Sequence, residues 1–169
     1  METIKEVFKS FTEISHLSNS PAPHVHLNRF TELFMNIRNS YDFKKLASHI
    51  HWQHKYPSHV KACLYQEDFH YGTLKLELIR FEAPTFTTLH THPAILIDEV
   101  LEGTLLEKNY IPNTQKPILF EDLLRSTGDK RSIYAPNGHP HKVRAISDYC
   151  LNLCLSFGQK PEIPLKEEL

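Results

Sequence analysis

Histidine is the residue type best able to do chemistry in this chain: there are 12 in 169 residues. Two of them are separated by one residue in Leu89-His90-Thr91-His92-Pro93. On an extended strand, positions i and i+2 point to one face about 6–7 Å apart, so His90 and His92 can converge on one ion. The segment then runs through the apolar Ile95-Leu96-Ile97 and closes on Gly103. Further on, Tyr134-Ala135-Pro136-Asn137-Gly138-His139-Pro140-His141-Lys142-Val143 reads as a second turn-then-strand unit with histidines at its start. It can supply a third imidazole, from His141 or from the competing His139.

The elements that must position these residues follow from periodicity. Ile4, Val7, Phe8, Phe11 and Ile14 are at helical spacing, Ser18 to Pro23 is a loop by composition, and Leu27, Phe30, Leu33, Phe34 and Ile37 form a second helical stripe. Asn39-Ser40 ends that stripe, and Asp42 is an N-cap candidate for a short third helix carrying Phe43, Leu46 and Ile50. After His51–Pro57 the period changes to two. Residues 60–65 form a strand, Tyr71-Gly72 a turn, and Thr73–Leu78 alternates with Leu74, Leu76 and Leu78 facing inward. Glu82-Ala83-Pro84 interrupts before a strand that sets Phe86, Thr88, His90 and His92 on a common face. Ile95–Leu101 and Thr104–Tyr110 flank Gly103 as a hairpin, and Pro112 to Pro117 is a loop. Ile118–Arg125 fits a strand or a short helix. Thr127-Gly128-Asp129 and Asn137-Gly138 are turns, Ser132–Ala135 a short strand, and Val143–Ile146 and Tyr149–Leu155 the last strands. Short strands separated by turns imply an antiparallel sandwich or barrel.

The totals bound the function class. The length suits one domain with a real core. With 19 Lys and Arg against 20 Asp and Glu, the formal charge of −1 argues against nucleic acid or an anionic membrane as the main partner. No apolar run approaches a membrane span, and the first residues lack a signal-peptide core. Cys63, Cys150 and Cys154 are an odd number without a Cys-x-x-Cys, as expected of reduced cytoplasmic thiols.

A His-x-His strand, a glycine-closed hairpin and a later Pro136-x-Gly138-x-x-His141 together resemble the layout of the cupin superfamily. That resemblance implies a mainly β fold, a double-stranded β-helix (antiparallel barrel) preceded by N-terminal helices. It would be one domain over 1–169, mostly helical in 1–56, barrel in 57–158, with a charged tail in 159–169. The usual first cupin motif places a glutamate four or five residues beyond the second histidine. Here those positions hold Leu96 and Ile97; Asp98 and Glu99 come later, and Glu99 has the opposite strand parity to Leu96 and Asp98. Three histidines are therefore favoured over two histidines and a carboxylate.

More narrowly, the chain resembles the cysteine dioxygenase family of thiol dioxygenases, particularly its bacterial members. His90-x-His92 with Val100-Leu101-Glu102-Gly103 has the family's spacing, and His141-Lys142-Val143-Arg144-Ala145-Ile146-Ser147 is similar to its His-Arg-Val-x-Asn-x-Ser segment. The likeness spans most of residues 25–157. It implies that His90, His92 and His141 hold one Fe(II) per chain and that a small thiol is oxidised by dioxygen to a sulfinic acid. Imidazole ligation by itself also suits zinc, copper or nickel. His139 occupies an unspecified place in Pro-x-Gly-x-x-His. The family's substrate-orienting arginine falls at Lys61, which can attract a carboxylate but lacks the bidentate fork. The family's Ser-x-His-x-Tyr corresponds to Asn152-Leu153-Cys154-Leu155-Ser156, without the tyrosine, and the place of its crosslinking cysteine is Leu96. These departures leave cysteine itself open as substrate. The alternatives are a metal-dependent cupin of other chemistry and a non-enzymatic cupin that binds a small ligand. A monomer or a homodimer is expected.

Overall fold

The structure is a computed structural model that describes residues 27–69, 72–92, 95–111, 116–134 and 140–158. The expected helix over 4–14, the loop over 18–23, the Asn137-Gly138 turn and the tail from 159 lie outside the described residues, as does His139.

Among the described residues, two helices precede the strands. Helix α1 (Leu27–Ser40) buries Phe30, Leu33, Phe34 and Ile37, the stripe expected from spacing. Fully burying four such side chains removes roughly 6–12 kcal/mol of apolar exposure, before conformational entropy is subtracted. Helix α2 (Phe43–Ala47) starts where Asp42 Oδ1 accepts a hydrogen bond from the Lys45 amide at 3.0 Å. That cap is worth about 1 kcal/mol. The helix stops before Ile50, which packs from the following coil.

Nine strands follow among the described residues: β1 (His54–Lys55), β2 (His59–Phe69), β3 (Gly72–Glu82), β4 (Ile95–Glu102), β5 (Thr104–Ile111), β6 (Ile118–Ser126), β7 (Lys130–Tyr134), β8 (His141–Ala145) and β9 (Tyr149–Gly158). They form two sheets with antiparallel pairings, one of six strands in the order β1-β2-β3-β9-β4-β7 and one of three in the order β6-β5-β8. Residues 118–126 are a strand, which resolves the strand-or-helix alternative. β6 is an edge strand whose only buried residue is Arg125.

Both faces of the six-stranded sheet are covered. On one face Leu74, Leu76, Leu78, Ile97, Leu153 and Leu155 pack against the α1 and α2 side chains. On the other, Ile79, Phe81, Leu96, Val100, Cys150 and Cys154 meet Leu105, Val143 and Ala145 of the small sheet. Leu74, Leu76 and Leu78 are buried as expected, but against the helices rather than in the barrel interior. Ile79 and Phe81, of opposite parity, line the interior.

Two expectations are corrected. β4 and β5 do not form a hairpin: β4 pairs with β7 and β9, and β5 with β6 and β8. Gly103 is instead the corner where the chain crosses between sheets. Its φ is +86°, and an added Cβ would strike the Tyr149 carbonyl oxygen and lie 2.6 Å from Ser147 Oγ. Only glycine fits there. Ser147 fixes the corner, accepting from the Thr104 amide at 2.9 Å and donating to the Tyr149 carbonyl at 2.5 Å. The second correction concerns Phe86–His92, which is not a strand. Its ladder contact is an isolated bridge of His90 with His141. Prolines at 84 and 93 bracket the run, and each removes a backbone donor that a ladder would use.

Candidate metal centre

The bridge brings two histidines face to face. His90 N donates to His141 O at 3.0 Å, and His141 N donates to His90 O at 2.8 Å. With His92 two residues beyond His90, three imidazoles meet at the inner wall of the small sheet. Ring centroids are 4.9 Å apart for His90 and His92, 4.6 Å for His90 and His141, and 4.5 Å for His92 and His141. One ring nitrogen from each lies within 4.8 Å of the others. Lys61, by contrast, comes from β2 in the opposite sheet.

Hydrogen bonds behind the rings set the tautomers. His90 Nδ1 donates to the Thr88 carbonyl at 2.8 Å, and His141 Nδ1 donates to Glu107 Oε1 at 2.5 Å. A carbonyl and a carboxylate only accept, so in both rings Nδ1 carries a proton and Nε2 is the nitrogen left to face an ion. His141 Nε2 then faces His92 Nε2 at 2.6 Å. Three ring nitrogens brought this close together form a donor set that could hold a metal ion. Glu107 sits behind His141, on the side away from Nε2, and cannot share the point where the Nε2 atoms meet. The donor set is three imidazoles, from His90, His92 and His141.

Beside the rings is a cavity of about 100 Å³, lined also by Tyr56, His59, Lys61, Leu96, Asn152 and Cys154. At roughly 10–15 Å³ per water-sized sphere it holds on the order of seven to ten such spheres, room for a small organic molecule but not a polymer. Lys61 is 8% exposed and lines this cavity. Its ammonium lies 5.9 Å from the Tyr56 ring centroid, and Tyr56 stacks on His59 at 4.5 Å.

Sequence reasoning missed the charged floor of the cavity. Arg125 Nη1 and Nη2 donate to the two Asp98 oxygens at 2.8 and 2.9 Å, and Asn152 Nδ2 donates to Asp98 Oδ2 at 3.0 Å. Glu107, 0% exposed, receives Arg131 Nη1 in close contact and lies 3.7 Å from Arg125 Nη1. Burial lowers the Arg131 pKa, and the Asp98 charge opposes that. Among Lys61, Arg125, Arg131, Asp98 and Glu107, cations exceed carboxylates by one, which favours an anionic guest. Strand parity was the available signal: Glu107 shares a face with the buried Leu105, and an acidic side chain there needs a cation opposite. Glu99, of opposite parity to Asp98, points to the helix layer and pairs with Arg38 at 2.9 Å. Burial pushes the Cys150 thiol up to about 12, with Arg125 opposing and Asp98 adding to the shift. Both cysteines of β9 are buried, as the default for a small apolar side chain requires.

No family model matches the chain, and no curated protein matches it in sequence. Among solved structures it is similar to one chain from the crystal structures of DMSP lyases RdDddP and RnDddQII, with a TM-score of 0.50 and 16% identity over 69% of this chain. This chain covers 63% of the length of that structure. It is also similar to a cupin superfamily protein from Desulfitobacterium hafniense DCB-2 (TM-score 0.48, 14% identity, 68% of this chain and 88% of the other). A third similarity is to an oxalate decarboxylase from Lactobacillus farciminis (TM-score 0.49, 13% identity, 68% of this chain and 33% of the other). Likeness at such identities concerns the fold alone, and the fold itself is mainly β, two antiparallel sheets behind N-terminal helices, as the cupin resemblance implies. No described helix is long and apolar enough to cross a membrane.

Proposed function

We propose that this protein is a mononuclear non-haem iron thiol dioxygenase that oxidises a small carboxylated thiol to a sulfinic acid. The observation that carries the reading is the convergence of three imidazoles, with no carboxylate among them, on the wall of a small cavity. A ferrous ion held by His90, His92 and His141 would supply Lewis acidity that favours the thiolate and redox access to dioxygen. The overall change is R–SH + O₂ → R–SO₂H: both oxygen atoms end on sulfur, which gives up four electrons to the O–O unit.

The chain's own residues bind, orient and exclude. The Thr88 carbonyl and Glu107 hold the ligand tautomers of His90 and His141. Lys61 attracts the substrate carboxylate by charge. Leu96, Leu105, Val143, Ile79 and Phe81 make the apolar wall that keeps bulk water out. Thiol-dependent oxygen uptake with a sulfinate product, measured on iron-loaded protein across a panel of small thiols, tests the proposal. No uptake with any of them would refute it.

A second reading is a metal-dependent cupin of other chemistry, or one that binds a small ligand without turnover. It is favoured by Ser156 at the family's tyrosine place and by Leu96, which lines the cavity where some family members carry the crosslinking cysteine. A stoichiometric metal without thiol oxidation would select it.

A further inference from the structure

We infer that Glu107 is a positioning residue for the metal centre, acting through His141, and that Arg125 and Arg131 serve to keep a carboxylate buried there. The inference rests on the three-histidine reading above. His141 and His90 are held differently. His90 Nδ1 donates to a neutral carbonyl at 2.8 Å, whereas His141 Nδ1 donates to a fully buried carboxylate at 2.5 Å. A charge-assisted bond of this kind is shorter and about twice as strong as its neutral counterpart. It fixes the ring plane and raises electron density at Nε2, making His141 the strongest donor of the two whose backing is described.

A carboxylate with no solvent exposure carries a desolvation cost of several kcal/mol unless it is paired. Two guanidiniums pair it: Arg131 Nη1 contacts Oε1, and Arg125 Nη1 lies 3.7 Å from Oε2. Arg125 is in turn locked by two bonds to Asp98, which Asn152 also holds. This chain runs from β9 through β4 and β6 to β5 and ends on the β8 histidine, so it crosses both sheets. Its link from Arg125 to Glu107 is an ion pair at 3.7 Å, and the whole route bears on the one ligand that comes from a strand rather than from the irregular Phe86–His92 run. The single acceptor behind His141 therefore carries positional information from the rigid part of the barrel to the metal site.

Cobalt(II) titration of chelator-stripped protein, followed by visible ligand-field absorption with a competing chelator, tests this without any turnover. Glu107→Gln keeps size and an acceptor but loses the charge, and loss of such an outer partner costs about 10–100-fold in metal affinity. Arg131→Gln keeps the carboxylate behind His141 and should bind cobalt less than about tenfold more weakly than wild type. Glu107→Gln with Arg131→Gln restores the charge balance, so it covers the case in which the single Glu107 variant does not fold. The double variant is expected to show the 10–100-fold loss and a shifted cobalt spectrum. Affinity and spectrum matching those of Arg131→Gln would overturn the inference while leaving the metal centre standing. Wild-type protein that takes up no stoichiometric cobalt would overturn both.

Discussion

Replacing Asp98 by Asn tests a buried carboxylate held by three hydrogen bonds in the cavity floor. The change keeps the shape of the side chain and removes its charge. In the wild type, both carboxylate oxygens accept from Arg125, at 2.8 and 2.9 Å, and one also accepts from Asn152 at 3.0 Å. An amide in that place turns an NH₂ group toward Arg125 or Asn152, so at least one donor faces another donor. Asp98 is 7% exposed and Arg125 is 4% exposed, so water cannot take over. Removing one partner of a buried pair costs about 3–5 kcal/mol. Set against a typical total stability of about 5–15 kcal/mol, that is a large fraction. For a chain of this length each kcal/mol moves Tm by about 2–4 °C, giving an expected drop of roughly 6–20 °C. Urea denaturation supplies ΔΔG, and a melt supplies ΔTm. Asp98→Leu with Arg125→Met removes both charges, and for that double variant the same reasoning expects a smaller loss than for Asp98→Asn alone. A single-variant ΔΔG under about 1 kcal/mol, in the range of an exposed pair, would refute the reasoning.

Four further outcomes follow from Gly103, Cys150 and Lys61. Gly103→Ala places a Cβ against the Tyr149 carbonyl at a positive φ, and should yield little soluble folded protein when expression and circular dichroism are compared with wild type. Cys150, pushed up to about 12, is about one part in ten thousand thiolate at pH 8, so an aromatic disulfide reagent should label it only after denaturation. Its folded pKa lies above the unfolded value of 9.0, so the stability it contributes is whole below pH 9 and is lost from there to about pH 12. Urea midpoints at pH 8, 10 and 11 should fall, with a Cys150→Ala variant falling less steeply. Lys61→Met should lower kcat/KM for a carboxylated thiol by about 10–150-fold, the value of a charged hydrogen bond of roughly 1.5–3 kcal/mol. A thiol without a carboxylate should be unaffected, and an equal loss for both would remove Lys61 from substrate binding.

Much of the fold was legible because burial repeats with period. The α1 stripe, the Asp42 cap, the alternation of β3 and the turn at Gly128 all follow from local rules, and the structure has them where spacing puts them. The Gly103 corner was misread for a physical reason. A glycine between two apolar runs is compatible with a hairpin or with a change of sheet, and only long-range pairing decides. The His-x-His run was read as a strand because i, i+2 spacing suits one, but the residues between Pro84 and Pro93 make one bridge and no ladder. Of the site, the three histidines stood out by type and spacing. Glu107, Arg125 and Arg131 did not, since a charged residue on a strand reads as solvent-facing unless the opposite sheet is known. β6 shows the same limit in reverse: its apolar residues are exposed and its one arginine is buried.

Metal content is the most direct test of the account. Protein purified without oxygen, with His141→Ala and His139→Ala prepared beside it, would be assayed for iron, zinc and nickel by elemental analysis. The account predicts iron near one per chain in the wild type, retained in His139→Ala and lost in His141→Ala. No stoichiometric metal in the wild type, even after reconstitution with ferrous iron, would contradict it.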